Sequence, residues 1–218
     1  MTNGFIYDFG ISNEELLSRC KENDESALRE LLRRHEKPVY GLLYRMLGNH
    51  EDAEEALADV FVKVWRAAGS FRGTAKFTTW LYRIAGNTAR DVLRSRKARP
   101  EIAIEDDILT ETDLVGTAAV DPETTVINAD EVARIELAMQ KLTPEDRLLV
   151  HLYHIQELDL EEINRITGIN RSNLKVKLFR ARQKLRTHLE SLDQEKNNEL
   201  QPDTTESIGL QPGSAESA

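Results

Sequence analysis

From Asp24 to about Arg96 the apolar residues recur every three or four positions, a period that restricts this half of the chain to amphipathic helices packed on one another. The first stripe is Ala27, Leu28, Leu31, Leu32, Val39, Leu42, Leu43, Met46 and Leu47, with Pro38 expected to kink the helix and Gly48-Asn49 to end it. A second stripe follows at Ala53, Leu57, Val60, Phe61, Val64 and Trp65. Beyond a loop bracketed by Gly69 and Gly73, a third runs through Trp80, Leu81, Ile84, Ala85, Thr88, Val92 and Leu93 to about Arg96. Upstream, Ser12-Asn-Glu-Glu15 has the form of a capping box and opens a short helix to about Lys21. Three long amphipathic helices suffice to enclose one core.

The period is lost over residues 98–125, where Pro, Gly, Thr and acids replace it, and a linker is expected. It resumes from about Thr125 with Val132, Ile135 and Met139 on one side. Thr143-Pro-Glu-Asp146 then combines an N-cap residue, a proline at the first helical position and acids in the first turn, ahead of Leu148, Leu149, Leu152 and Tyr153. Asp159-Leu-Glu-Glu162 is a further capping box whose helix stops at Gly168, and Asn170 caps the next, which runs to about Leu189. Two helices joined by Gly168-Ile169-Asn170, with Leu160, Ile163, Ile166, Ile169, Leu174 and Leu178 to pack the corner, form a helix-turn-helix. From Asp193 the composition is polar and poor in apolar residues, so disorder is expected there. The predicted fold is all-α, two small helical domains joined by an acidic linker. Its parts are an N-terminal segment 1–22, a helical bundle 23–97, a linker 98–125, a helix-turn-helix domain 126–190 and a disordered tail 191–218.

A formal charge of -9 argues against a nucleic-acid partner until its distribution is considered. Residues 100–129 hold 8 acids and no Lys or Arg, and residues 191–218 hold 6 acids and 1 base, so most of the excess lies outside the two helical blocks. Within the second block, INRSNLKVKLFRARQKLR (169–186) carries seven basic side chains and no acid. Arg171, Lys175, Arg182 and Arg186 follow one face of that helix and Leu174, Leu178, Ala181 and Leu185 another, which leaves the basic side to solvent. The second helix of a helix-turn-helix enters the major groove, where Asn pairs with adenine, Arg or Lys with guanine, and Ser with either base or phosphate. A merely solvated charged face is the alternative, but such faces normally alternate signs to form i,i+4 pairs, and this one does not.

A second basic patch occupies residues 60–99, where Asp91 is the only acid among ten Lys and Arg, with Phe71, Phe77, Trp80 and Tyr82 interleaved. Cations that track phosphates beside aromatic faces that stack on bases are what single-stranded nucleic acid requires. At least one of Phe77 and Trp80 is expected in the core, which makes the loop from Gly69 to Lys76 the better place for an extruded base. No run of about 18 apolar residues and no basic-then-apolar N-terminus occur, so neither membrane insertion nor secretion is expected, and the predicted location is cytoplasmic. Cys20 stands alone, which rules out an internal disulfide.

Three strings, LGNHEDAEEALADVFVKVW, TTWLYRIAGNTARDVLR and LTPEDRLLVHLYHIQELDLEEINRITGINRSNLKVKLFRARQKLR, resemble in order and spacing regions two and four of a bacterial RNA polymerase sigma factor of the extracytoplasmic function (ECF) group. The resemblance covers residues 25–97 and 130–190. It implies that Asp52, Glu55, Asp59, Phe61, Val64 and Trp65 dock on core RNA polymerase. It further implies that the segment Arg72 to Arg94, with Arg72, Lys76, Trp80, Asn87, Arg90 and Arg94, engages and melts the -10 element, and that Arg171, Ser172, Asn173, Lys175, Lys177, Phe179, Arg180 and Arg182 read the -35 element as duplex. Core RNA polymerase, promoter DNA and an anti-sigma factor are the partners it implies. The acidic linker would thread into the polymerase cleft. The chain departs from the family in lacking its usual Gln after Asp52-Ala-Glu-Glu55, and in having Asn164 where a small residue is usual and Val176 where a polar one is common. A helix-turn-helix regulator acting alone would account for the second block but not for the aromatic and basic patch. An enzyme would need more than the carboxylates Asp52, Glu54, Glu55 and Asp59 or the pair His151 and His154, none of which sits in a catalytic or metal motif. No catalytic residue, metal, cofactor or small-molecule substrate is therefore expected.

Overall fold

The structure, a computed structural model, describes residues 10–98 and 129–199. Eight α-helices and no strand are found among them. The first four are α1 (Asn13–Lys21), α2 (Glu25–Leu47), α3 (His50–Ala67) and α4 (Phe77–Ala98). Their boundaries follow from short polar caps. Ser12 accepts from the Glu15 amide at 3.1 Å, Asp24 from Ser26 at 2.9 Å, and Asn49 from Asp52 at 2.8 Å. Gly48 ends α2 in the left-handed region at φ +83°, returning its N–H to the Tyr44 carbonyl at 2.8 Å. The expected stripes then meet: Leu31, Val39, Leu42, Leu43, Val60, Val64, Phe77, Leu81 and Ala85 are all buried in one core.

Helix α2 continues through Pro38, whose missing N–H costs it one backbone bond. One feature of this bundle differs from the sequence reading. Helix α4 begins at Phe77, a turn before the periodic stripe, because the Glu14 carboxylate of α1 accepts from the Phe77 amide at 3.0 Å. That cap comes from 63 residues away and leaves no local signal.

The second block holds α5 (Ala129–Gln140), α6 (Pro144–Val150), α7 (Leu160–Thr167) and α8 (Arg171–Glu199). Thr143 caps α6 through the Asp146 amide at 3.2 Å, with Pro144 in the first turn. After α6 the chain widens into one π-turn, His151–Ile155, closed by the Gln156 amide on the His151 carbonyl at 3.0 Å. Both halves of the Asp159–Glu162 capping box form, and Gly168 ends α7 at φ +74°. Asn170 then accepts from the Asn173 amide at 2.9 Å and starts α8. Helix α8 continues to Glu199, so residues 191–199 are helical rather than part of a tail from 191. The remainder of the expected tail and nearly all of the linker lie outside the described residues.

The two blocks pack directly on each other. Leu148, Leu149, Leu152, Ile163, Ile166, Leu174 and Leu178 are continuous with the core of α2–α4, while Met139, Leu142, Val150 and Ala181 form a smaller cluster with Leu185. Polar groups lock the seam. Arg45 of α2 donates to Glu136 of α5 at 2.9 Å, their side chains only 11% and 7% exposed. Arg147 donates to the Arg45 carbonyl at 2.8 Å, and the Tyr82 hydroxyl donates to Gln156. His151 is fully enclosed between them, 3.4 Å from the Arg45 guanidinium and 3.3 Å from the Gln156 amide. Burial, reinforced by the Arg45 cation, pushes its pKa down to about 3, so the ring is neutral there.

Candidate nucleic-acid interface

Helix α8 presents its surface according to helical geometry. Leu174, Leu178 and Ala181 are buried against α6 and α7. Arg171, Ser172, Asn173, Lys175, Val176, Phe179 and Arg180 are exposed. No acid occurs between Arg171 and Leu189. The candidate residues do not all remain available, however. Lys177 is held by Glu145 at 3.0 Å, and Arg182 donates to His154 at 3.0 Å while its guanidinium lies 4.8 Å over the Tyr153 ring. Lys184 is likewise tied to Asp146 at 2.6 Å. These three cations hold α8 onto the π-turn and α6, which narrows the outward set to Arg171, Ser172, Asn173, Lys175, Phe179 and Arg180, with Val176 among them.

The aromatic and basic patch on α4 divides in the same way. Phe77 belongs to the core. Trp80 is half-buried, its ring 5.3 Å from that of Phe71 and 6.1 Å from that of Phe77, and half-buried Phe71 and Trp80 are the members of this tilted cluster that reach the surface. Arg72 lies exposed in the loop beside Gly73, and Arg94 is exposed with a salt bridge to Asp91 at 3.1 Å. Lys76, Asn87 and Arg90 instead face α7. Lys76 meets Glu162 at 2.8 Å, and this hydrogen-bonded pair pushes the lysine pKa up and keeps it charged. Arg90 donates to Asn87 at 2.6 Å, and both line a cleft closed on its far side by Arg165, Thr167 and Gly168. The helix-turn-helix thus borders the surface that sequence reasoning assigned to opened DNA, and Lys76 and Asn87 stay exposed there.

On α3, Glu55 and Asp59 are exposed, whereas Phe61 and Val64 are buried and Trp65 is half-buried. Phe61 and Val64 therefore pack on the inner side of the helix. Asp52 is half-buried and paired with Arg96 of α4, which also donates to the Leu47 carbonyl at 2.8 Å. Its first role is to join α3 to α4. Exposed Glu51, Glu54, Ala58 and Val62 complete the outward face. Among the described residues no cluster of His, Cys, Asp and Glu is arranged to hold a metal, and no helix is long and apolar enough to cross a membrane.

What sequence reasoning missed is concentrated at the seam: Arg45, Glu136, Arg147, His151 and Gln156 carried no motif. Each is a polar residue beside an apolar stripe, and only their convergence in space marks them. Val176 was noted for its type but not for its position, although counting 100° per residue along α8 finds it.

Comparison with known proteins agrees with this architecture. The family described as Sigma-70 region 2 matches residues 31–99, and that described as Sigma-70, region 4 matches residues 133–185. The chain is 32% identical over 181 residues to the ECF RNA polymerase sigma factor SigW of Bacillus subtilis, covering 81% of this chain and 96% of that protein. It is 30% identical over 186 residues to the ECF RNA polymerase sigma-E factor of Escherichia coli, covering 84% and 96%. Among solved structures, CnrH in complex with the cytosolic domain of CnrY superposes with a TM-score of 0.59 at 22% identity, over 82% of this chain and 97% of that one. RpoE in complex with the anti-sigma factor NepR, from Bartonella quintana, gives a TM-score of 0.59 at 19% identity, over 74% and 96%.

Proposed function

This chain belongs to the ECF RNA polymerase sigma factors, which act with RNA polymerase in transcription initiation, and on that premise we propose that it selects promoters through two separate surfaces. The outward face of α8 reads the -35 element in the major groove. The segment Arg72 to Arg94 captures the -10 element as its strands part, and the outward face of α3, with Glu55 and Asp59, contributes to docking on core polymerase. The observation that carries this reading is α8 itself: a helix-turn-helix second helix whose apolar side is buried and which carries no acid from Arg171 to Leu189.

Melting under this scheme needs no covalent chemistry. Unpaired bases held on the Phe71–Trp80 stack and on Asn87 and Arg90 offset an unpairing cost of a few kcal/mol. Because Lys76 is tied to Glu162 of α7 and half-buried Arg90 shares a cleft with it, separating the helix-turn-helix from α4 frees these groups for the -10 strand. Docking on polymerase supplies that separation, and it also makes two weak, salt-sensitive contacts act together. One similar solved structure, RpoE of Bartonella quintana, is a complex with an anti-sigma factor, and an anti-sigma partner is proposed here too, acting on a form in which the two domains are close.

The test is transcription on fragmented genomic DNA. Core polymerase supplemented with this chain should initiate at discrete sites that core polymerase alone does not use. Failure to co-purify with core polymerase, or initiation indistinguishable from core alone, overturns the reading.

A further inference from the structure

Helical geometry puts an apolar side chain at the centre of the DNA-facing surface. At about 100° per residue, the buried residues Leu174, Leu178 and Ala181, with partly buried Leu185, define one direction on α8, and Val176 points about 170° away from it. Lys175 lies about 90° from the buried direction on one side and Asn173 about 110° on the other. The side chain that points most directly away from the buried face is therefore neither of these but Val176, 48% exposed, with Phe179 one turn later at 61%. Ser172 and Arg180 adjoin them.

Val176 and Phe179, three residues apart on one helix, offer neighbouring apolar side chains flanked by Lys175 and Arg180, and covering them with an apolar group is favourable. In the major groove the one apolar group on a base edge is the thymine C5-methyl. Flanking cations set on phosphates would carry Val176 to the groove floor between the two strands. We propose that Val176, supported by Phe179, is a specificity-determining residue that selects a thymine methyl in the -35 element. The inference rests on the reading that α8 enters that groove and goes beyond it in naming the chemical group read. Hydrogen-bonding partners at the flanks then fix the neighbouring base pairs, and a polar residue at 176 would lose the preference for the methyl.

The experiment selects duplexes randomised over the upstream element with the full chain bound to core polymerase, then replaces each thymidine of the enriched element by deoxyuridine. At one thymine the replacement weakens binding about fourfold, the worth of one buried methyl-sized group. Val176→Ser abolishes that dependence while Val176→Ile keeps it, and because the side chain is exposed neither change touches the core. An enriched element indifferent to deoxyuridine, an element without thymine, or an unchanged dependence in Val176→Ser overturns the inference and leaves the -35 reading standing. If no duplex sequence is enriched at all, the -35 reading itself fails and the inference with it.

Discussion

Glu136→Ala removes one half of the buried ion pair that joins the bundle to the helix-turn-helix. The Arg45 guanidinium, 11% exposed, then keeps its bond to the Gly41 carbonyl at 3.3 Å and the long contact to His151, and its charge is uncompensated. Leaving such a charge buried costs about 3–5 kcal/mol. The chain has a cheaper response than unfolding, since parting the domains returns Arg45 to water. The expected effect is therefore a shift of the closing equilibrium toward the open form by about two to four orders of magnitude, with little loss of stability in α1–α4. Energy transfer between dyes at Glu54→Cys and Gln183→Cys, both exposed positions, reports the separation, and buried Cys20 stays unlabelled. The double variant Arg45→Leu/Glu136→Leu removes both charges and should restore closure, because an apolar pair of similar volume replaces a buried ion pair at little cost. Unchanged transfer efficiency in Glu136→Ala, or a double variant as open as the single one, would refute the claim that this pair latches the domains.

Acid should open the same seam. His151 is neutral when enclosed, its pKa about 3, and returns to the ordinary 6.5 when the domains part. The open form thus binds more protons: closure is at full strength above the open-form value and is lost as pH falls from there toward 3. Between about pH 7.5 and about pH 5.5 the closing constant measured by energy transfer should fall about tenfold, and His151→Gln should flatten that dependence. Gly168→Ala meets no atom within 4 Å but forces a side chain to φ +74°, so denaturant unfolding should register a loss of about 1–2 kcal/mol. Glu14→Ala removes the long-range cap of α4 and should lower stability by about 1 kcal/mol in the same assay. Arg180→Ala should weaken duplex binding by the polymerase complex for all sequences alike and reduce the salt slope by about 1.

Most of the helices were legible because they carry both a stripe and a nearby cap. Asp24, Asn49, Thr143, Asp159 and Asn170 sit at helix starts, and Gly48 and Gly168 at helix ends, all within a few residues of what they terminate. Phe77 was missed as a start because its cap, Glu14, is distant in sequence. The charge of α8 was legible as a total but not in its division. Lys177, Arg182 and Lys184 look like Arg171 and Lys175 in a string, and only folding brings Glu145, His154 and Asp146 to them. The direct packing of the helix-turn-helix on α4 had no counterpart in the pattern, because Ile163 and Ile166 would be apolar whether they closed a corner or a domain seam. Phe61 and Val64 show the converse: a resemblance assigned them to a partner, and burial assigns them to the core.

Protection of promoter DNA by the polymerase complex tests the central claim most directly. Core polymerase carrying the wild-type chain should protect a duplex upstream of each start site, and the variant Arg171→Ala/Lys175→Ala/Arg180→Ala should lose that protection while still binding polymerase. An upstream footprint identical in the two complexes would contradict the assignment of α8 to promoter recognition.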